Sequence, residues 1–164
     1  MGVTLKLATS LDGRIATASG ESRWITGEAA REAVHRLRSE HDAVLIGIET
    51  ALADDPELTV RLPGYHGPQP ARVVLDSRGR LPANSKLART ATEIATYVVT
   101  LPQAVTAGSV RLIEVAAGPD GHPALGPALD ALRAAGLTKV LVEGGGQVAA
   151  SFLGAGLVNR IEWF

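Results

Sequence analysis

Three observations predict an α/β domain with a predominantly parallel central sheet flanked by helices. "AVLIGI" (43–48) is a continuous apolar run, as in a strand buried on both faces, and "RVVLDS" (72–77) reads as another buried strand that ends in polar residues. Helical stripes lie between such runs, the clearest at Ala30, Ala33, Val34 and Leu37 and at Leu125, Ala128, Leu129 and Leu132. Strands and helices alternate along a chain of 164 residues, the ordinary size of one domain, so residues 1–164 are read as a single unit with one core.

The elements follow in order. Val3, Leu5 and Leu7 alternate with Thr4, Lys6 and Ala8, which predicts a strand with Lys6 on the face opposite the leucines. A loop rich in turn formers (10–22) precedes a helix for which Thr26 is the expected N-cap. Arg31, His35 and Arg38 line one flank of that helix and read first as a solvated face. After the strand at 43–48, "ETALADDPELTVR" (49–61) reads as a polar segment with a capped turn and Pro56 at a first helical position; Asp54 or Asp55 could instead supply acid or base chemistry. Strands are expected at "TYVVT" (96–100), "RLIEVA" (111–116) and "KVLVE" (139–143). Gly136 is placed to end the helix begun at Leu125 from a left-handed conformation, and a last helix from Gln147 to Ala155 ends at Gly156. "RIEWF" (160–164) begins a further strand.

Composition narrows the function. Hydrophobic residues at 46% and charged ones at 20% describe a folding chain rather than a disordered one. Sixteen basic against seventeen acidic side chains give a net charge of −1, so no global positive field exists to hold nucleic acid or an anionic membrane. A small molecule is the expected partner, and any anion site must be local. The absence of cysteine excludes disulfides, thiolate metal sites and thiol nucleophiles, and suits a reducing, cytoplasmic setting. His35, His41, His66 and His122 lack metal-ligand spacing, so no metal site is expected.

Ligands of parallel sheets bind outside the carboxyl ends of the strands, which directs attention to the loops after Ala8, Ile48, Asp76 and Glu143. "LVEGGG" (141–146) ends a strand on a carboxylate and three glycines before a helix. Bare amides and a helix dipole there suit an anion, although a tight strand-to-helix turn fits the same pattern. Neither G-x-G-x-x-G nor G-x-x-x-x-G-K-[ST] is present. Glu143 would accept hydrogen bonds from a neutral or cationic part of a ligand while the glycines take its charge. Ser77 and Arg78, after a strand end, suit a phosphate monoester, and a polar turn explains them as well.

"KLATSLDGRIATASGESRWITG" (6–27), "ALADDPELTVR" (51–61), "VLDSRGRLP" (74–82) and "LVEGGG", in that order, closely resemble the reductase domain of riboflavin biosynthesis. That domain is commonly the carboxyl-terminal half of a bifunctional pyrimidine deaminase and uracil reductase, and has the dihydrofolate-reductase-like fold. The resemblance spans nearly the whole chain. It implies NADPH-dependent reduction of the phosphoribosylamino group of 5-amino-6-(5-phosphoribosylamino)uracil to its ribitylamino form, with hydride delivered to the sugar's C1. It implies cofactor contacts at Ala8, Trp24, Thr50, Asp54 and Ser77, and at Gly145, Gly146, Gln147, Val148, Ala149, Ala150 and Ser151; Arg78 joins Ser77 in recognising the 2′-phosphate. Ser22, Arg38, Leu58, Arg61 and Glu143 would contact substrate, and Lys6 with Glu143 would polarise or protonate the reacting sugar.

It further implies a homodimer, with a deaminase domain or chain as a partner, since the H-x-E and P-C-x-x-C zinc signature is absent from these residues. Family domains continue roughly one to three elements further, so a truncated sheet with an exposed edge is expected at Phe164. The alternatives are a related reductase acting on the diaminopyrimidine form of the substrate, and a nucleotide-binding module without catalysis.

Overall fold

The computed structural model describes residues 1–10, 13, 27–104 and 108–164. Ser22, Trp24 and Thr26, expected at the site and at a helix cap, lie outside them. In β1 (Gly2–Leu7) Val3 and Leu5 enter an apolar cluster, and the two-residue period sends Lys6 to the other face. Gly27 occupies the N-cap of α1 (Glu28–Ser39), whose buried residue is Leu37.

Every residue of β2 (Ala43–Gly47) is buried, as its unbroken apolar run requires. A seven-residue helix, α2 (Ile48–Asp54), follows without a break. This corrects the reading of 49–61: the helix precedes Pro56 rather than starting at it, and ends where Asp55 turns left-handed at φ 38°. The residue before a proline disfavours helical geometry, so the chain stops there.

Next come β3 (Ala71–Leu75), a single turn α3 (Lys86–Arg89), β4 (Thr96–Thr100) and β5 (Arg111–Glu114). In α4 (Leu125–Ala134) the apolar stripe buries Ala128, Leu129 and Leu132. Gly136, at φ 87°, ends it as expected, with Leu137 N–H donating to the Leu132 carbonyl at 3.0 Å. The chain closes with β6 (Lys139–Gly144), α5 (Gly146–Gly154) and β7 (Arg160–Trp163).

The strands form one seven-stranded sheet in the order β5-β4-β3-β2-β6-β1-β7, and every neighbouring pair is parallel. One face packs Val3, Leu45, Val73 and Val142 against Leu129 and Leu132 of α4 and Phe152 of α5. The other packs Ile46, Val74, Val98 and Leu141 against Leu37 of α1, Ile48 of α2 and Leu87 of α3. The result is a three-layer sandwich. β7 is an edge strand, with Ile161 and Trp163 exposed on it. Among the described residues no helix is long and apolar enough to cross a membrane.

Two polar devices hold this frame. The Asp42 carboxylate accepts from Thr138 N–H and Oγ1 and from Lys139 N–H, all at 2.8–2.9 Å, which fixes the start of β6 beside β2. Arg72, 1% exposed at the head of β3, donates to the Thr90 and Thr96 hydroxyls and to the carbonyls of Leu87, Thr90 and Ile94. That arginine ties the end of α3 and the chain leading into β4 to the sheet.

Candidate active site

The four strands whose loops the sequence singles out, β3, β2, β6 and β1, are consecutive neighbours in the sheet, so their carboxyl ends open on one rim. Along that rim the ladder between β2 and β6 is irregular. Leu45 pairs with Val142 and Ile46 with Gly144, so Glu143 is an extra residue without a partner on β2. Such a bulge re-aims a side chain. Here the side chain meets α1: Arg38 Nε donates to Glu143 Oε1 at 2.6 Å and Nη2 to Oε2 at 2.8 Å. The two side chains are only 12% and 8% exposed. Arg38 is therefore not part of a solvated face, and the flank it shares with His35 looks inward.

The same guanidinium donates from Nη1 to the Thr59 carbonyl at 2.9 Å. Beside it the His35 ring Nδ1 lies 3.1 Å from the Thr59 carbonyl and 3.2 Å from the Arg61 N–H. Gln69 holds Val60 through both its backbone groups. Segment 58–61 is thereby fixed against α1, with Leu58 buried at a positive φ of 56°. Burial lowers the pKa of His35, the Arg38 and Arg61 charges lower it further, and the Thr59 carbonyl and Glu143 act against them.

A cleft of ≈ 480 Å³ opens above these groups. Lys6, Arg38 and Glu143 form its polar wall, Ala8, Thr50 and Asp54 line it toward β1 and α2, and Leu58, Gly145, Gly146 and Ala149 complete it. Burial is the main cause of a lowered pKa at Lys6; the Glu143 carboxylate opposes the shift and the Arg38 charge adds to it. A second, smaller cavity of ≈ 130 Å³ shares Glu49, Thr50 and Gly145 with the first and is lined by Ser77, Gln147, Val148 and Ser151. The expected cofactor residues are thus divided between two adjoining spaces, one on each side of Thr50.

Three expected residues are placed elsewhere. The Arg61 side chain is 63% exposed and pairs with Glu57, and Arg78 is exposed; neither lines either of these two cavities. Ala150 sits on the outward side of α5. Asp55, weighed as an acid or base, instead accepts from the Lys86 N–H at 2.8 Å at the start of α3. Sequence reasoning missed Arg80, which lines the small cavity and pairs with Glu49 at 2.7 Å, and His122, which faces Ser77.

The glycines leave little choice of side chain. A Cβ on Gly144 would lie 3.0 Å from both Ile46 Cγ2 and Thr50 Cγ2, and one on Gly47 2.8 Å from Val148 Cγ2. Gly145 caps α5 at φ 84°, and no side chain caps that helix, so its first amides face the rim. Gly145→Ala is expected to reduce stability by about 1 kcal/mol from the backbone alone. A denaturation midpoint equal to that of the native chain would contradict this.

A parallel α/β sheet carrying a glycine-floored cleft with a half-buried lysine and an ion pair at its strand ends belongs to the class of α/β folds whose strand-end clefts suit an anionic ligand. Residues 2–164 match the model of the RibD C-terminal domain family. The chain belongs to that family. It is 36% identical to the riboflavin biosynthesis protein RibD of Actinobacillus pleuropneumoniae, over 99% of this chain and 44% of that protein. It is 39% identical to the 2,5-diamino-6-ribosylamino-4(3H)-pyrimidinone 5′-phosphate reductase of Methanothermobacter thermautotrophicus, over 98% of this chain and 74% of that one. Among solved structures, the diaminohydroxyphosphoribosylaminopyrimidine deaminase/5-amino-6-(5-phosphoribosylamino)uracil reductase of Thermotoga maritima superposes with a TM-score of 0.82 at 33% identity, over 99% of this chain and 43% of that one. The chain thus spans less than half the length of the RibD proteins it matches.

Proposed function

We propose that this domain is an NADPH-dependent reductase of the ribosyl group of 5-amino-6-(5-phosphoribosylamino)uracil, in the route to riboflavin. The observation that carries the reading is the convergence of Lys6, Arg38 and Glu143 in one cleft floored by Gly144, Gly145 and Gly146. A cofactor of this kind fits the residues present. Gly145, Gly146 and the first turn of α5 would hold its phosphates, since no side chain caps that helix. Ser77, Gln147, Val148 and Ser151 would line the adenosine side, with Thr50 between the two cavities. When bound, the nicotinamide supplies a hydride for the sugar's C1.

The remaining work falls to side chains. Arg38 fixes both oxygens of the Glu143 carboxylate beside the cleft and, through the Thr59 carbonyl, holds the segment that brings Leu58 to its wall. Lys6 is the proton donor to the opening sugar: burial lowers its affinity for the proton that it must release. Lys6→Met is expected to slow single-turnover hydride transfer by about a hundredfold or more. The pH dependence has a definite sign. The donor form persists below the lowered pKa, so activity should fall with rising pH before the ordinary lysine value of 10.5. In Glu143→Gln the residual activity should fall at a still lower pH, because the carboxylate that raises the Lys6 pKa is gone. An unaltered alkaline limb in that variant would remove Lys6 from the proton transfer.

The decisive assay follows the near-ultraviolet absorbance of NADPH with the aminouracil substrate; no consumption would sink the proposal. The Methanothermobacter thermautotrophicus relative, matched over 74% of its length, favours the 2,5-diaminopyrimidinone as a second substrate reading. Offering both compounds under the same conditions decides between them. In the cell the domain would work as a homodimer in the cytoplasm, beside a deaminase domain or chain.

A further inference from the structure

His122 belongs to no motif, yet it lines the small cavity. Its Nδ1 lies 3.1 Å from Ser77 Oγ, at the end of β3, and its Nε2 lies 3.3 Å from Gln147 Nε2, in the first turn of α5. The segment that carries it is firmly held: Ala117 bridges Pro123, Gly118 N–H donates to the His122 carbonyl at 2.7 Å, and His122 N–H donates to Asp120 Oδ1 at 3.1 Å. The ring is thus presented by a short hairpin to two elements that reach the cavity from different sides.

Hydrogen-bond roles follow from the atoms. An amide nitrogen can only donate, so the imidazole Nε2 accepts from Gln147. In the neutral ring Nδ1 then carries the hydrogen and donates to Ser77 Oγ. The Ser77 hydroxyl hydrogen is left for another acceptor, and the space beside it is the cavity, whose other walls include the apolar Ile48, Leu75, Pro123 and Leu125.

We infer that His122 is a positioning residue of the nucleotide site: it holds Ser77 and Gln147 so that the serine hydroxyl donates to a ribose or phosphate oxygen at the adenosine end of the cofactor. This rests on the reading of the cleft as a nicotinamide-nucleotide site. It also moves recognition at this end from Arg78, whose side chain lines neither cavity, to His122.

The test is NADPH binding followed by nicotinamide fluorescence. His122→Ala is expected to weaken binding about tenfold, while kcat at saturating NADPH stays within about twofold. His122→Asn, whose side-chain amide can donate near the place of Nδ1, should recover most of the loss without any change in thermal midpoint. Ser77→Ala should weaken binding as much as His122→Ala, and the double variant no more than either, since one contact is lost in all three. Additive losses, an asparagine variant as weak as the alanine one, or native affinity in His122→Ala would each overturn the inference. A native chain that binds no NADPH would instead overturn the functional reading on which it stands.

Discussion

Arg38→Met is expected to lower kcat/KM by about a hundredfold or more and to destabilise the domain by about 2–4 kcal/mol. The bidentate pair with Glu143 is almost wholly enclosed, at 12% and 8% exposure, so removing the guanidinium leaves a carboxylate without its partner away from water. It also releases the Thr59 carbonyl, and with it the segment that places Leu58 in the wall of the cleft. The stability and activity losses separate in a double variant. Arg38→Met combined with Glu143→Leu should regain much of the stability, because the carboxylate stranded by the single change is gone, and none of the activity. Equal unfolding midpoints for Arg38→Met and the native chain would show that the pair contributes nothing to the fold.

The larger structural effect is expected at Arg72. Arg72→Met should cost about 3–5 kcal/mol, read as a lower midpoint of denaturant unfolding with the slope unchanged. Its five hydrogen bonds run to two hydroxyls and three carbonyls, no carboxylate among them, and all lie in the segment between Leu87 and Thr96. A thioether satisfies none of them. Arg72→Lys should fall between the two, since an ammonium cannot reach partners spread around a planar fork. A loss below about 1 kcal/mol in Arg72→Met would mean that water replaces the guanidinium.

Much of this architecture can be read from the chain because parallel sheets leave a coarse signature. Unbroken apolar runs mark β2 and the buried part of β3, and the glycines at 136 and 156 mark where α4 and α5 stop. What cannot be read is short or distant. α2 follows β2 with no turn between, and only Ile48 and Ala51 of its seven residues are buried, too few for a helical stripe. α3 is a single turn of four residues. Arg38 looks solvated beside Arg31 because its partner is 105 residues away, where no local pattern can report it. Arg72 opens a strand and so reads as an exposed end; the five groups that enclose it come from the following connection.

The site divides in the same way. Lys6, Glu143 and the glycines stand at strand ends, where the chemistry of parallel sheets collects, and the resemblance adds Arg38, Thr50 and Leu58, which the fold brings to the same cleft. Arg61 and Arg78 share a motif with cleft residues but not their direction, since a side chain's course depends on the turn that carries it. His122 had no signal at all. Its contacts, 45 and 25 residues away, exist only once the loop after β3 and the first turn of α5 have come together.

The position of β1 between β6 and β7 has a consequence for how the molecule comes into being. Residues 2–7 leave the ribosome with neither flanking neighbour yet synthesised, because those neighbours begin at Lys139 and Arg160. Until then the segment has no ladder to join, and pairings between such remote stretches are slow to form. Lys6 therefore cannot meet Glu143 before the chain has been made as far as β6, and the cleft depends on that long-range pairing.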